Sequence, residues 1–166
     1  AEFDRPGGAA GGLFREFHFA GADVLATEIA LDFVDQQVVI FAFRLFLADG
    51  DALIVKTEDL LYILDKIHEL YPECERISAY GAPADVNMKT DEELAKLKAT
   101  GLDMIYMGAE SGDDIVLRDV KKGVTSEEIA TAGLKLKKAG MIVSITLISG
   151  LGGKERVKEH AINSAK

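Results

Sequence analysis

From residue 44 onward, short apolar runs alternate with longer stretches whose apolar positions recur every three or four residues. The short runs Arg44–Ala48, Arg76–Tyr80, Asp103–Met107 and Met141–Ile148 predict strands. Each stops at a small or acidic cluster, and helical sequence follows. Thr57–Tyr71 carries a stripe of Leu60, Ile63, Leu64, Ile67 and Leu70, with Thr57 as the predicted N-cap and Glu58 and Asp59 in the first turn. Thr90-x-x-Glu93 and Thr125-x-x-Glu128 are capping boxes; their helices are expected to close near Gly101 and at Gly140. Ser111–Val120 predicts a shorter helix with Asp113 and Asp114 at its positive end, and Lys154–Lys166 a final one.

The N-terminal quarter is less regular. Arg5–Gly12 (RPGGAAGG) reads as a loop or disordered arm, and Leu13–Ala20 as a weak strand. Leu25, Ile29 and Phe33 fall at i, i+4 and i+8, which predicts a helix over Asp23–Val34. Gln36–Phe46 is a near-continuous apolar run, as expected of a strand buried on both faces. Residues 1–22 are thus set apart as a flexible or altered N-terminal segment, and 23–166 as one βα domain.

Four to five strands alternating with five to six helices imply an α/β fold with a parallel sheet. About four to five βα units are too few to close an eight-stranded barrel. Two architectures fit, a partial (βα) barrel and an open parallel sheet with flanking helices, and spacing does not choose between them. In both, the clusters after the strands line one edge, where such folds bind ligands.

Charge and cysteine count narrow the partners. Twenty-eight acidic residues against 19 basic ones give a formal charge of −9. That field opposes nucleic-acid backbones and anionic membranes, so neither is expected as a partner. The most apolar run, Val38–Ala48, contains Arg44 and is too short to span a bilayer. No basic stretch followed by an apolar one marks a secretory signal. A lone cysteine, Cys74, forms no intrachain disulfide and suits a cytoplasmic location. Its acidic neighbours Glu73 and Glu75 would raise its pKa rather than activate it.

The clusters carry the candidate chemistry. In Asp49-Gly50-Asp51, glycine permits close approach and a carboxylate can hold an ammonium group or a metal; the same triplet also reads as an acidic turn capping the next helix. In Gly108-Ala109-Glu110-Ser111-Gly112, the carboxylate suits paired ribose hydroxyls, and Ser111 equally suits a helix cap. Ser149-Gly150-Leu151-Gly152-Gly153 lacks the spacing of a phosphate loop and suits close approach of a flat ring or another loop. Lys121-Lys122 reads as a solvated helix end or as a carboxylate partner facing the site. His18, His68 and His160 are scattered, and exposure is the default for the latter two on their helices.

Taken in order, LFLADGDAL (Leu45–Leu53), RISAYGAPADV (Arg76–Val86), MIYMGAESGDDIVLRDVKKG (Met104–Gly123) and TLISGLGGKERVKEHAINSA (Thr146–Ala165) resemble the radical S-adenosylmethionine (radical SAM) superfamily, nearest to its bacterial Fe–S oxidoreductases. The resemblance covers Arg44–Lys166, with Phe14–Val34 matching the helix after the first strand. It implies that Gly50 and Asp51 hold the methionine ammonium and that Glu110 and Ser111 contact the ribose. It further implies that Lys122 meets the methionine carboxylate, that Ile148, Gly150 and Leu151 line the adenine, and that Ser78 and Tyr80 face the barrel lumen.

The superfamily's C-x-x-x-C-x-x-C loop, whose three thiolates bind a 4Fe–4S cluster, has no counterpart here. Relatives also continue into a sixth strand and helix. The resemblance therefore implies a truncated radical SAM core that retains part of the S-adenosylmethionine pocket and is inactive alone. The other reading is a non-enzymatic α/β module that binds a partner or forms a homo-oligomer through exposed sheet edges.

Overall fold

The computed structural model describes the backbone of residues 18–19, 22–34, 37–48 and 50–166, and the side chains of 44–48 and 50–166. Its elements are β1 (His18–Phe19), β2 (Ala22–Val34), β3 (Gln37–Leu47), α1 (Thr57–Leu70), β4 (Arg76–Tyr80), α2 (Pro83–Met88), α3 (Asp91–Ala99), β5 (Leu102–Glu110), α4 (Asp114–Asp119), α5 (Ser126–Lys138), β6 (Ile142–Leu147) and α6 (Gly153–Ser164). A 3-10 turn, Ala52–Ile54, follows β3. The described strands lie side by side in chain order. β3 to β6 run parallel, and β1 and β2 add to them in antiparallel fashion.

Strand β2 corrects the helix expected over Asp23–Val34, and with it the match of that segment to a helix after the first strand. The i, i+4, i+8 spacing of Leu25, Ile29 and Phe33 is also a multiple of two. With Leu31 between the last two, it satisfies a strand's period as well as a helix's. Pairing with the apolar β3, from Val34↔Gln37 back to Val24↔Leu47, decides between them. The expectations for Arg5–Gly12, and for Leu13–Ala20 apart from His18–Phe19, lie outside the described residues.

The parallel register explains the core. Leu45 pairs with Ile77, Leu47 with Ala79, and Ala79 with Ile105. These residues are buried together with Leu60, Leu64, Leu94, Leu97, Ala132 and Leu136 from α1, α3 and α5. Each fully buried leucine contributes about 2 kcal/mol of transfer free energy. The alternate residues form the other face, where Phe46 pairs with Ser78, Tyr80 with Tyr106, and Tyr106 with Ser144. α1, α3 and α5 share one core on one face, so the fold is a parallel sheet with flanking helices of the partial (βα) barrel kind.

Both capping boxes form as the sequence predicts. Thr57 does not cap α1. The N-cap is Lys56, and the Thr57 hydroxyl instead donates to Glu93 Oε1 at 2.6 Å, tying α1 to α3. The helix expected from Ser111 begins at Asp114, because the Asp113 carboxylate accepts from the N–H groups of Ile115 and Val116.

Candidate functional site

The parallel strands bring four clusters to one edge in the order β3, β4, β5, β6. At about 4.8 Å between neighbours, the row spans about 15 Å.

After β3, Gly50 has φ +86 and is exposed. Asp51 caps the 3-10 turn through Leu53 N–H at 2.9 Å and reaches the next strand end, accepting from Ala82 N–H at 2.5 Å. The acidic-turn reading of this triplet thus describes part of its work. Burial, and a hydrogen bond to Asp85, push the Asp51 carboxyl up from 3.8 to about 6.

At the end of β4, Tyr80 is half exposed and Ser78 is buried. Phe46, Tyr80 and Tyr106 form an aromatic cluster across three strands, with Phe46 and Tyr80 edge to face at 4.8 Å between centroids. This cluster lies on the inner face, below the row of strand ends.

After β5, Glu110 takes φ +66, and Lys121, just past α4, takes φ +56. Left-handed backbone at non-glycine residues costs about 1 kcal/mol each, and such strain concentrates at functional positions. Here it aims two side chains at each other: Lys122 Nζ lies 3.3 Å from Glu110 Oε1, and each side chain is about three-quarters buried. Lys122 is thus not a free solvated helix end; its ammonium group pairs with Glu110.

After β6, Ile148 N–H donates to the Glu110 carbonyl at 3.0 Å, extending the ladder past the strand. Leu151 N–H then closes a turn onto the Ile148 carbonyl at 3.3 Å, with Gly150 at φ +77. Glu110, Lys122 and the Ile148–Leu151 turn are therefore neighbours. Gly50 and Asp51 stand two strands away.

Ser111 is buried and its hydroxyl is committed. It accepts from Asp113 N–H at 2.9 Å and lies 2.8 Å from His160 Nδ1. His160 was expected to be exposed; it is 5% exposed, with Nε2 3.0 Å from the Ile148 carbonyl. The polar face of α6 explains the difference. Arg156 and Asn163 both donate to Asp113 Oδ2, at 2.7 and 3.0 Å, and draw the helix down onto the end of β5. The Arg156 bond, foremost, holds the Asp113 carboxyl well below the usual carboxylate range. Residue-type scanning misses this network. Its available signal is the spacing of Arg156, His160 and Asn163 at i, i+4, i+7, a polar stripe on one side of a helix.

With this geometry in hand, the chain can be compared with known proteins. The family described as the Radical SAM superfamily matches residues 26–163. The chain belongs to the radical SAM superfamily. Among solved structures, the cobalamin-dependent S-adenosylmethionine radical enzyme OxsB with aqua-cobalamin bound is similar over 73% of this chain and 19% of its own, at 19% identity and a TM-score of 0.59. Coproporphyrinogen III oxidase (HemN) from Escherichia coli, itself a radical SAM enzyme, is similar over 64% of this chain and 25% of its own, at 18% identity and a TM-score of 0.54. The chain thus spans about a fifth to a quarter of these radical SAM enzymes, and the likeness is one of fold. No curated protein sequence matches it. Among the described residues, no helix is long and apolar enough to cross a membrane.

The radical SAM core implies two groups, and the residues fit them differently. For S-adenosylmethionine, a carboxylate, an ammonium group and a backbone turn at adjacent strand ends form a suitable donor set. For the cluster, three thiolates are needed, and this sequence contains one cysteine. Cys74 is buried beside the α1 core, its thiol donating to the Arg76 carbonyl at 3.6 Å, and burial pushes its pKa up, with Glu73 adding less. Among the described residues, no group of three or more His, Cys, Asp or Glu is placed to hold a metal. The residues present do not fit the cluster.

Proposed function

We propose that this chain is part of a radical SAM oxidoreductase core that binds S-adenosylmethionine and does not by itself carry out the chemistry of the cluster. The observation that carries this reading is the Glu110–Lys122 pair, held by two left-handed residues beside the Ile148–Leu151 turn. Strain of this kind needs a compensating use, and a partly exposed carboxylate–ammonium pair at a strand end suits a ligand with hydroxyls and a carboxylate.

In this reading Glu110 accepts from the ribose hydroxyls and Lys122 meets the methionine carboxylate. The backbone of Ile148, Gly150 and Leu151 flanks the adenine. Asp51, with Gly50 beside it, receives the methionine ammonium. That cation would favour the ionised form of Asp51 and relieve its contest with Asp85. Ser78 and Tyr80 form the inner wall beneath.

Titration calorimetry with S-adenosylmethionine and with S-adenosylhomocysteine tests the proposal. Weak saturable binding is expected, reduced by Glu110→Ala and by Asp51→Ala. If both variants bind as the parent does, the site is misplaced. Anaerobic reconstitution with iron and sulfide should leave the chain without a stoichiometric cluster; a brown, cluster-loaded protein would overturn the second half of the proposal.

A second reading has its own observation. Among the described strands β6 is a sheet edge, and Ile142, Ile145 and Leu147 on it, Ile148 just after it and Val157 on α6 are each about half exposed. Apolar edges favour pairing with another chain, so self-association would follow. Light scattering that returns a monomer at high concentration would remove this reading.

A further inference from the structure

We infer that His160 is a positioning residue that fixes the ends of β5 and β6 relative to each other, and with them the crevice for the nucleoside; the inference rests on the S-adenosylmethionine reading above. The imidazole is buried between the two strand ends and hydrogen-bonded to both. A backbone carbonyl only accepts, so the 3.0 Å contact to Ile148 places the proton on Nε2. In the neutral ring Nδ1 is then the acceptor, and the Ser111 hydroxyl donates to it across 2.8 Å. Ser111 Oγ in turn accepts from Asp113 N–H. The result is a directional chain from the Asp113 amide through Ser111 and His160 to the Ile148 carbonyl, and such chains strengthen their own members.

Its two ends sit where the proposed site needs rigidity. Ser111 follows the strained Glu110, and Ile148 opens the turn assigned to the adenine. The sheet is irregular there, with a register shift between Gly108 and Glu110. The backbone bond from Ile148 N–H to the Glu110 carbonyl is thus reinforced through side chains one residue further on. The rest of α6 is tied to β5: Arg156 and Asn163 hold Asp113, and Ser164 Oγ accepts from Gly112 N–H at 2.9 Å. His160 carries that anchorage across to β6. The turn also packs on it, since a Cβ at Gly152 would come within 2.9 Å of the His160 Cβ.

A buried histidine that merely fills space would be replaced well by leucine, and one that positions would be replaced better by glutamine, whose amide offers one donor and one acceptor. The test is S-adenosylhomocysteine affinity by calorimetry, together with amide hydrogen exchange of residues 148–152 in the ligand-free chain. His160→Leu should weaken binding about tenfold and speed exchange at 148–152 about tenfold, leaving α1 and α3 protected. His160→Gln should recover most of both, and Ser111→Ala should reproduce the loss without adding to it in the double variant. Parent-like affinity and exchange in His160→Leu would overturn the inference, as would equal losses in the leucine and glutamine variants. If His160→Leu does not fold, Ser111→Ala decides by the same two readouts. If the parent itself binds no S-adenosylhomocysteine, the cofactor reading fails, while the exchange measurement still shows whether His160 fixes the two strand ends.

Discussion

Glu110 and Lys122 meet over Gly108 of β5, where a side chain would crowd them. A Cβ built on Gly108 falls 2.5 Å from Glu110 Oε1 and 3.4 Å from Lys122 Nζ. The glycine therefore does not serve an unusual backbone angle; it leaves room on the inner face for an ion pair folded over the strand. Both obstructing atoms end flexible side chains, so Gly108→Ala should fold, with a stability change of about 1 kcal/mol or less. The pair, however, must move aside. We expect S-adenosylhomocysteine binding to fall about tenfold, read by calorimetry beside a thermal melt. Unchanged affinity would mean that the position of the pair is irrelevant to the ligand.

Asp51 should leave a mark on the pH dependence of stability. Its carboxyl is raised from 3.8 to about 6 in the folded chain, chiefly by burial and then by the hydrogen bond to Asp85. Between about pH 4 and 6 the folded state thus binds more protons at this position than the unfolded state. Its contribution is fully present below pH 4 and is lost as pH rises through 6. Asp51→Asn removes the titration, so the fall in thermal midpoint between pH 4.5 and 7.5 should be smaller in the variant. Parallel profiles for the two proteins would refute the assignment.

The parallel half of the sheet was legible because each strand there is short, apolar and closed by a distinctive cluster, and because Thr90–Glu93 and Thr125–Glu128 leave little freedom about where α3 and α5 begin. That Lys122 faces a carboxylate was one of two alternatives open in the sequence; that the carboxylate is Glu110 was not legible there. Two things were hidden for physical reasons. Leu25, Ile29 and Phe33 satisfy both periodicities, and only pairing with β3 separates them. His160 was hidden because burial of an imidazole depends on partners far away in the chain, here 12 and 49 residues distant. Thr57 shows the same effect on a smaller scale, a capping residue by type whose hydroxyl a distant glutamate claims.

The Asp113–Arg156 pair should govern acid stability in the opposite sense to Asp51. Asp113 is 1% exposed on its side chain, and the Arg156 guanidinium, foremost, holds its carboxyl below the ordinary range. A lowered pKa contributes stability that is present above the unfolded value near 4 and is lost as pH falls through the folded value. Arg156→Gln strips the charge partner while leaving Asn163 and the amides of Ile115 and Val116. The variant should lose stability at neutral pH, less than for a fully buried pair because Arg156 is partly exposed. Its acid unfolding should also begin at higher pH. Urea melts at pH 7, repeated in an Asp113→Asn background, check the first half and acid titration the second; a loss just as large without the carboxylate would show that charge is not the cause.

Gly112 tests whether the docking of α6 depends on close backbone approach as well as on hydrogen bonds. A Cβ there would come within 2.8 Å of both the Asn163 carbonyl carbon and the Ser164 Cα, and nearer still to the Asn163 carbonyl oxygen. These are backbone atoms, which cannot swing aside as the end of a side chain can. Gly112→Ala must therefore push the end of α6 off the β5 loop, stretching the Gly112–Ser164 bond and both bonds to Asp113. The damage should remain local, since the buried leucines of α1 and α3 lie elsewhere in the fold. Hydrogen exchange is expected to show α6 and residues 111–113 opening at least tenfold more often, with α1, α3 and β4 unchanged. Uniform acceleration across the chain would instead make α6 part of one cooperative core, and parent-like exchange in α6 would mean that the close approach at Gly112 has no role in holding the helix.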